Sequence, residues 1–331
     1  MSGLRVLFIG GSGLISSACS WLAVERGLEV YALNRGATQV RPLPSEVRVL
    51  HGDVRDPTSV AEALDGHEFD VVVNWVAFTP DHVEADIDRF RERIGQYVFI
   101  SSASAYQAPP SRVPITESTP LSNPYWQYSR NKIACEDRLL RAYREEGFPA
   151  MIIRPSHTYD RTAVPCYAGW TAVQRMRDGK EVVVQGDGTS LWTLTHSEDF
   201  AEGFVPLLGS TRTVGEAFHI TSDDVLTWNQ IIMSLAKAAG AEPRIVHVPS
   251  DVIAAADPDW GAALLGDSAH SMIFDNSKLR SVVSDYVARI TLEQAAPEII
   301  TWHDEDQSRQ RVDADLDSLM DKLSAEFRRP G

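Results

Sequence analysis

Six short apolar runs recur between residue 4 and about residue 155: LRVLFI, EVYALN, VRVLHG, FDVVVNWVA, QYVFISS and AMIIRP. They are nearly continuous in Val, Ile, Leu and Phe, with little polar alternation, which is the pattern of strands buried on both faces. Helical patterns separate most of them. Leu14, Ile15, Ala18, Trp21 and Leu22 make one such face, and Gly27 follows as its C-terminal stop. Strand and helix in alternation predict a parallel sheet with right-handed crossovers, the Rossmann-type doubly wound α/β class.

After Pro155 the pattern loosens. It predicts a helix around Ala168–Asp178, a strand at EVVVQG, the turn GDGT, a helix from near Ser197, a strand at EAFHI, a helix after Thr227 and a strand at PRIVHV. The rest reads as mostly helical. In VDADLDSLMDKLSAEF, Leu316, Leu319, Met320, Leu323 and Phe327 share one face, a packing face. The division expected is a sheet domain over 1–155 and a smaller, mostly helical substrate lobe over 156–331, with some segments returning to the first domain. The lobe should lie over the C-terminal edge of the sheet, where doubly wound folds bind ligands.

Composition narrows the class. The 331 residues are 44% hydrophobic and 23% charged, an ordinary globular balance with a net charge of −15. Such a surface disfavours wholesale binding to nucleic acid or anionic membrane, though not a local basic pocket. Cys19, Cys135 and Cys166 form neither a disulfide framework nor a zinc pattern, no metal-ligand spacing is visible, and a reducing cytoplasm is the expected compartment. The N-terminal apolar run is too short for a membrane span and is not laid out as a signal peptide.

Between the first strand and the first helix lies Gly10-Gly11-Ser12-Gly13-Leu14-Ile15-Ser16. Gly10 permits a tight turn, Gly13 lets a pyrophosphate approach the backbone, and the helix N-terminus offers free N–H donors. In that context the loop predicts dinucleotide binding rather than a plain turn. Leu14 and Ile15 carry it into the helix, and Ser16 stands where a third glycine often sits. The second strand ends in Asn34-Arg35, where an acidic residue would serve the ribose of NAD; Arg35 instead suits a 2′-phosphate, which favours NADP over NAD. Asp53 and Val54, after the third strand, stand where an adenine contact is expected; a turn aspartate is the alternative for Asp53.

Tyr128 and Lys132 open the helix YSRNKIACEDRLLRAY and lie one turn apart on one face. A neighbouring ammonium is expected to lower the tyrosine pKa from roughly 10, so that the phenol trades a proton with an alcohol or carbonyl. The run Ser101-Ser102-Ala103-Ser104-Ala105-Tyr106, after QYVFI, supplies hydroxyls at the end of a central strand, where they can hold a substrate oxygen.

Together GGSGLIS, HGDVRD, FISSASAY, YSRNKIACEDRLL, RPSHTYD and GDGTSLWTLTHSEDFA resemble the extended short-chain dehydrogenase/reductase family, which includes NAD-dependent epimerases and dehydratases. The resemblance runs from residue 4 to about 200 and more loosely beyond. It implies Ser102 as the catalytic hydroxyl and Tyr128 as the acid/base. Lys132 would hold the nicotinamide ribose and tune the tyrosine. Pro155 and Ser156 would border the nicotinamide, and Ala77 would line the pyrophosphate. It also makes helices near 80–93 and 126–147 the candidates for a homodimer contact.

The departures matter as much. Ala103 and Ser104 follow Ser102 where dehydratases carry an acidic pair, so dehydration is not expected. Where members that bind nucleoside diphosphates carry one arginine, Trp192 stands, and Ser268-Ala269-His270-Ser271 precedes FDNSK where a second is usual. The interval from Ala77 to Ser101 is short, so one cofactor-side helix is trimmed. For substrate, Ser102, Ser104, His157 and Trp192 are the candidates. His157 has a structural hydrogen bond as its alternative, and Trp192 a core position. His196 reads as a cap, Cys135 as a small buried residue and Glu117 as a loop carboxylate. The reading is an NAD(P)-dependent oxidoreductase or epimerase acting at a carbinol or ketone carbon of a sugar, sugar nucleotide or similar polyhydroxy compound. The alternatives are an NADPH-dependent ketoreductase of a non-nucleotide small molecule and, in another class, a non-catalytic nucleotide- or RNA-binding regulator.

Overall fold

The computed structural model describes residues 3–36 and 40–327. Its strands are β1 Arg5–Ile9, β2 Glu29–Asn34, β3 Arg48–His51, β4 Val71–Asn74, β5 Gln96–Ile100, β6 Ala150–Pro155, β7 His157–Tyr159, β8 Glu181–Gln185, β9 Leu191–His196, β10 Ala217–Ile220, β11 Val225–Thr227 and β12 Arg244–Val248. The helices are α1 Ser16–Glu25, α2 Pro57–Leu64, α3 Pro80–Phe90, α4 Gln127–Glu146, α5 Trp170–Arg177, α6 Ser197–Phe204, α7 Trp228–Ala238, α8 Ser250–Ala256, α9 Pro258–Ala263, α10 Ser277–Val282, α11 Leu292–Asp304 and α12 Ala314–Phe327.

Seven strands form one sheet in the order β10-β6-β5-β4-β1-β2-β3, every pair parallel. The chain winds outward in both directions from β1, the Rossmann-type doubly wound arrangement, which leaves a crevice beyond the C-terminal ends of β1 and β4. Side chains alternate across the sheet: Val6 and Phe8 join one core with Phe200 and Phe204 of α6, while Leu7 and Ile9 join the other with Ile87 of α3 and Leu139 of α4. The seventh strand comes from the second half of the sequence, where Phe218 sits opposite Ile153 of β6. The remainder of that half adds two small sheets, β11-β9-β7 and β12-β8, with helices packed on them. Leu323 and Met320 of α12 are buried in this lobe's core.

Helix α1 departs from its apolar pattern. Trp21 is 53% exposed, its indole N–H donating to the Pro42 carbonyl at 3.0 Å. The buried face is instead Ser16, Cys19, Ser20 and Ala23. Small side chains let this helix press close to the sheet and α6, and Ser20 satisfies its hydroxyl by donating to the Ser16 and Gly11 carbonyls. Gly27 stops the helix, at φ +79°.

Helix α4 is fixed more firmly. Its inner face repeats at Ser129, Lys132, Glu136 and Leu139, and Gly147 at φ +68° ends it. Glu136 is wholly buried against Arg154 of β6, at 2.6 Å. Breaking such a pair by removing one partner costs roughly 3–5 kcal/mol, because it strands a charge in the interior. The pair therefore holds α4 in one register on the sheet, one turn beyond Lys132.

Candidate active site

The glycine turn occupies the crevice beside β1. Gly10 has φ +88°, and a Cβ there would stand 2.7 Å from the Val76 side chain, so this position admits glycine alone without rearrangement. Ser16 locks the turn: its hydroxyl donates to the Gly10 carbonyl at 2.7 Å and accepts from the Gly13 N–H at 2.8 Å. Ile15 precedes α1 without a side-chain cap, which leaves helix N–H groups for an anion. The turn opens on a cleft of about 890 Å³, walled by Gly13, Asn34, Arg35, Asp53, Val54 and Arg55 among others. Arg35 is exposed and has no ion-pair partner among the described residues. Arg55 donates to the Val76 carbonyl, and Arg41, also on the wall, pairs with Asp160 at 2.6 Å. Asp53 turns one carboxyl oxygen to the Arg55 N–H at 2.9 Å. A positive-φ glycine, an uncapped helix start and cationic walls fit the pyrophosphate and ribose of a dinucleotide.

Ala77 stands differently from the expectation. Its side chain is fully buried in the core, and Val76 and Phe78 form the cleft wall there. Ala77 contributes its carbonyl, which accepts from the Lys132 ammonium at 2.7 Å; the Ile100 carbonyl accepts from it too, at 2.7 Å. Lys132 is 1% exposed and lies over the Phe78 and Phe99 rings, 4.8 Å from each centroid. Burial lowers its pKa to about 8. Leu14 and Ile15 are not on the cleft wall, and Ile15 packs toward the core of α1 and α6.

Tyr128 lies on the wall of a second cavity, next to the cleft. Its ring is 6.4 Å from that of Phe78, on the cleft wall, and 4.9 Å from that of Trp126, on the other side. Burial pushes the phenol pKa up, the Ser102 hydroxyl beside it pulls it down, and the Asp267 charge raises it further. The expected lowering by a neighbouring ammonium is therefore not realised. The ammonium is already bound by two carbonyls and stands 5.7 Å from the Tyr128 ring, while the low-polarity setting penalises phenolate.

The cavity beyond Tyr128 is about 230 Å³, and Ser102, Pro155, Ser156, His157 and Trp192 are on its wall. Ser102 caps the short turn Ala103–Ala105 by accepting from the Ser104 N–H. A chain of hydroxyls runs from Ser129 of α4 to Ser104 at 2.7 Å and on to Ser102 at 2.9 Å. Ser104 is nearly fully buried but also on the cavity wall, and its hydroxyl is engaged by Ser102 and Ser129. His157 is held neutral, since burial lowers its pKa to about 4. Trp192 is 3% exposed, its ring centroid 6.3 Å from His157 and 5.4 Å from Trp228.

Of the residues set aside, His196 caps α6 by accepting from the Glu198 N–H, and Cys135 is fully buried with its thiol pushed up to about 12. Glu117 does more than the sequence suggested. It accepts from the His219 N–H at 3.2 Å, beside the buried Tyr106–His219 hydrogen bond.

Three site residues escaped the sequence reading. Asp267 lies on the cavity wall within a π-helical turn, Leu264–Ser268; such turns are frequent at functional sites. Trp126 forms the opposite side. Asn123, buried, ties the two together: its amide donates to the Ser104 carbonyl at 2.9 Å and the Gly266 carbonyl at 2.7 Å, and its oxygen accepts from the Tyr125 and Trp126 N–H groups. The only signal was Asn123 before Pro124, just ahead of the Tyr128 helix. Asp267 borders the Ser268–Ser271 stretch that lacks the arginine, but a lone aspartate carries no pattern.

Comparison with known proteins agrees with this architecture. The model of the NAD dependent epimerase/dehydratase family matches residues 6–221, and the chain belongs to that family. It is 27% identical over 73% of its length to the chloroplast stem-loop binding protein of 41 kDa b from Arabidopsis thaliana, and 26% identical over 46% of its length to a UDP-glucose 4-epimerase from Lactobacillus helveticus. The matches span 65% of the first relative and 51% of the second. Among solved structures, UDP-glucose 4-epimerase from Bifidobacterium longum in complex with NAD+ and UDP superposes with a TM-score of 0.74 at 19% identity, covering 92% of this chain and 99% of that one. At that identity the likeness speaks for the fold.

Proposed function

We propose that this protein is an NAD(P)-dependent oxidoreductase that acts at a carbinol or ketone carbon of a small molecule lacking a nucleotide, with Ser102, Tyr128 and Lys132 as its catalytic group. The observation that carries this reading is the position of Tyr128, beside Ser102 on the wall of a cavity and against Phe78 of the dinucleotide-shaped cleft. A bound nicotinamide dinucleotide would supply or accept the hydride. Ser102 would hold the substrate oxygen, and Tyr128 would give it a proton in reduction or take one in oxidation. A raised phenol pKa suits the reductive direction, in which the protonated phenol is the working form. Lys132 holds its proton against two carbonyls beside the cleft, where it would meet the ribose. Arg35 would take a 2′-phosphate, which favours NADP.

Within this family, the wall composition favours a reductase or dehydrogenase over an epimerase. Epimerisation requires the oxidised ring to turn over while another part of the substrate stays held. A diphosphate gripped by cations is one such hold, but no lysine or arginine is on the described wall of the cavity around Tyr128. The similarity to a stem-loop binding protein supports a second reading, a non-catalytic binder of nucleic acid. The complete Ser102, Tyr128 and Lys132 group and the net charge of −15 weigh against it.

Incubation with NADPH or NADH and a panel of small ketones tests the proposal. The expected result is stoichiometric oxidation of the reduced cofactor and formation of alcohol. Failure to bind either cofactor by calorimetry, combined with salt-sensitive binding of an RNA stem-loop unaffected by Tyr128→Phe, would overturn it.

A further inference from the structure

Past Ser102 and Tyr128 the cavity continues. Trp126, His157, Trp192 and Asp267 are on the walls of both the 230 Å³ chamber and a second chamber of about 270 Å³. The second chamber is built of rings. Trp192 packs against Trp228, and Tyr167 stacks on Trp260 at 4.9 Å with the planes 2° apart. Val182, Val184 and Leu264 fill between them. Trp228 donates its N–H to the Ser268 carbonyl at 2.9 Å, whereas the buried indole N–H groups of Trp192 and Trp260 have no partner among the described residues.

The charge distribution is one-sided. No lysine or arginine is on the described walls of either chamber, and Asp267 is their one acidic side chain. His157, beside it, is neutral. No side chain among the described residues bonds to the Asp267 carboxyl. The π-helical turn that carries it is clamped by Asn123, and a Cβ on the neighbouring Gly266 would stand 2.9 Å from that of Trp126. The carboxyl is thus held half-buried at the seam of the two chambers, open to the cavity and free to take a partner from a ligand.

We propose that Asp267 is a specificity-determining residue: it binds a hydrogen-bond donor, a hydroxyl or an ammonium, on a substrate whose flat apolar body fills the tryptophan chamber, and it excludes anionic substrates, nucleoside diphosphates included. This rests on the assignment of Tyr128 as the reacting end of the same cavity. Aromatic faces attract cations and polarised hydroxyls, and an ammonium beside the Asp267 carboxyl draws out its charged form; a phosphate or carboxylate finds no cation on these walls and favours the protonated form instead.

The test is binding, read from quenching of tryptophan fluorescence and from thermal shift, independently of turnover. The probes are 4-phenyl-2-butanones bearing para-aminomethyl, para-hydroxymethyl or para-carboxylate groups, with uridine diphosphate as a competitor. The aminomethyl and hydroxymethyl probes are expected to bind at least about tenfold more tightly than the carboxylate. Asp267→Glu should preserve that order, and Asp267→Asn should abolish the preference for the ammonium. Equal or tighter binding of the carboxylate, displacement of the probes by uridine diphosphate, or an unchanged order in Asp267→Asn would each overturn the inference. The same titrations on Tyr128→Phe separate the two claims. An intact order with normal turnover faults the catalytic assignment alone, and normal wild-type turnover with no preference by charge faults Asp267 alone.

Discussion

The two hollows on either side of the Phe78–Tyr128 contact are built on opposite principles. The cleft over β1 is made of backbone turns and guanidiniums: Gly10 at a φ of +88°, an uncapped helix start, and Arg35, Arg41 and Arg55 on the walls. The chambers beyond Tyr128 are made of indole and phenol rings, and offer one carboxyl and no cation on their described walls. The first matches a ligand whose common feature is phosphate, and it does so with main-chain donors that tolerate little sequence change. The second must select among substrates, and does so with side chains that are free to change. Here those side chains bring no positive charge, and the contrast teaches that one hollow is set by main-chain geometry and the other by the choice of side chains.

The sharpest way to break the comparison is at its hinge. Tyr128→Phe keeps the ring against Trp126 and Phe78 and removes only the hydroxyl beside Ser102. We expect turnover to fall by about 10²- to 10⁴-fold, with cofactor affinity changed little. Wild-type turnover in this variant would separate the two hollows chemically and end the proposed mechanism. Arg35→Ala tests the cleft alone. Loss of a charge-assisted contact worth roughly 1.5–3 kcal/mol should weaken NADPH by about 10- to 100-fold and NADH far less. An equal effect on both would remove the NADP preference while leaving the cleft as the dinucleotide site.

How far the sequence disclosed these two halves follows the same contrast. The sheet was readable because strands buried on both faces are nearly continuously apolar, as VLFI in β1 and VVV in β4 are. The glycine turn was readable because φ and close approach constrain residue type. Helix α1 was misjudged at Trp21, since a helix pressed close to a sheet selects small side chains such as Ser20 and Ala23 over large apolar ones. The tyrosine pKa was misjudged because sequence spacing gives the distance of the ammonium but not the carbonyls that bind it or the burial that opposes phenolate. Asp267 and Asn123 were invisible because their importance comes from contacts between segments more than a hundred residues apart, which no local pattern records.

Asn123→Ala sharpens the comparison on the substrate side. It leaves the Ser104 and Gly266 carbonyls without their donor, and each buried group so stranded costs about 1–3 kcal/mol. The π-helical turn should loosen against Trp126, raising KM for substrate several-fold while NADPH affinity stays near wild type. A matching loss of NADPH affinity would mean that the two hollows do not act as separate units.

The last effect expected is the most specific to the lone carboxyl. Burial pushes the Asp267 pKa up to about 8, against about 4 in an unfolded chain. Between those values the folded protein keeps a proton that the unfolded chain has released. The stability this group contributes is therefore full below pH about 4 and drains away as pH rises toward 8. Asp267→Asn removes the group and with it that drain, so the difference in Tm between variant and wild type should move in the variant's favour from pH 5 to pH 8, by about 5 °C for a chain of this size. Saturating the wild type with the aminomethyl ketone should narrow the gap at pH 8, because an ammonium at the carboxylate stabilises its charged form. Parallel melting curves across that range would show that the carboxyl is solvated, and the acidic seam between the chambers would then lose the selectivity that sets it apart from the cationic cleft.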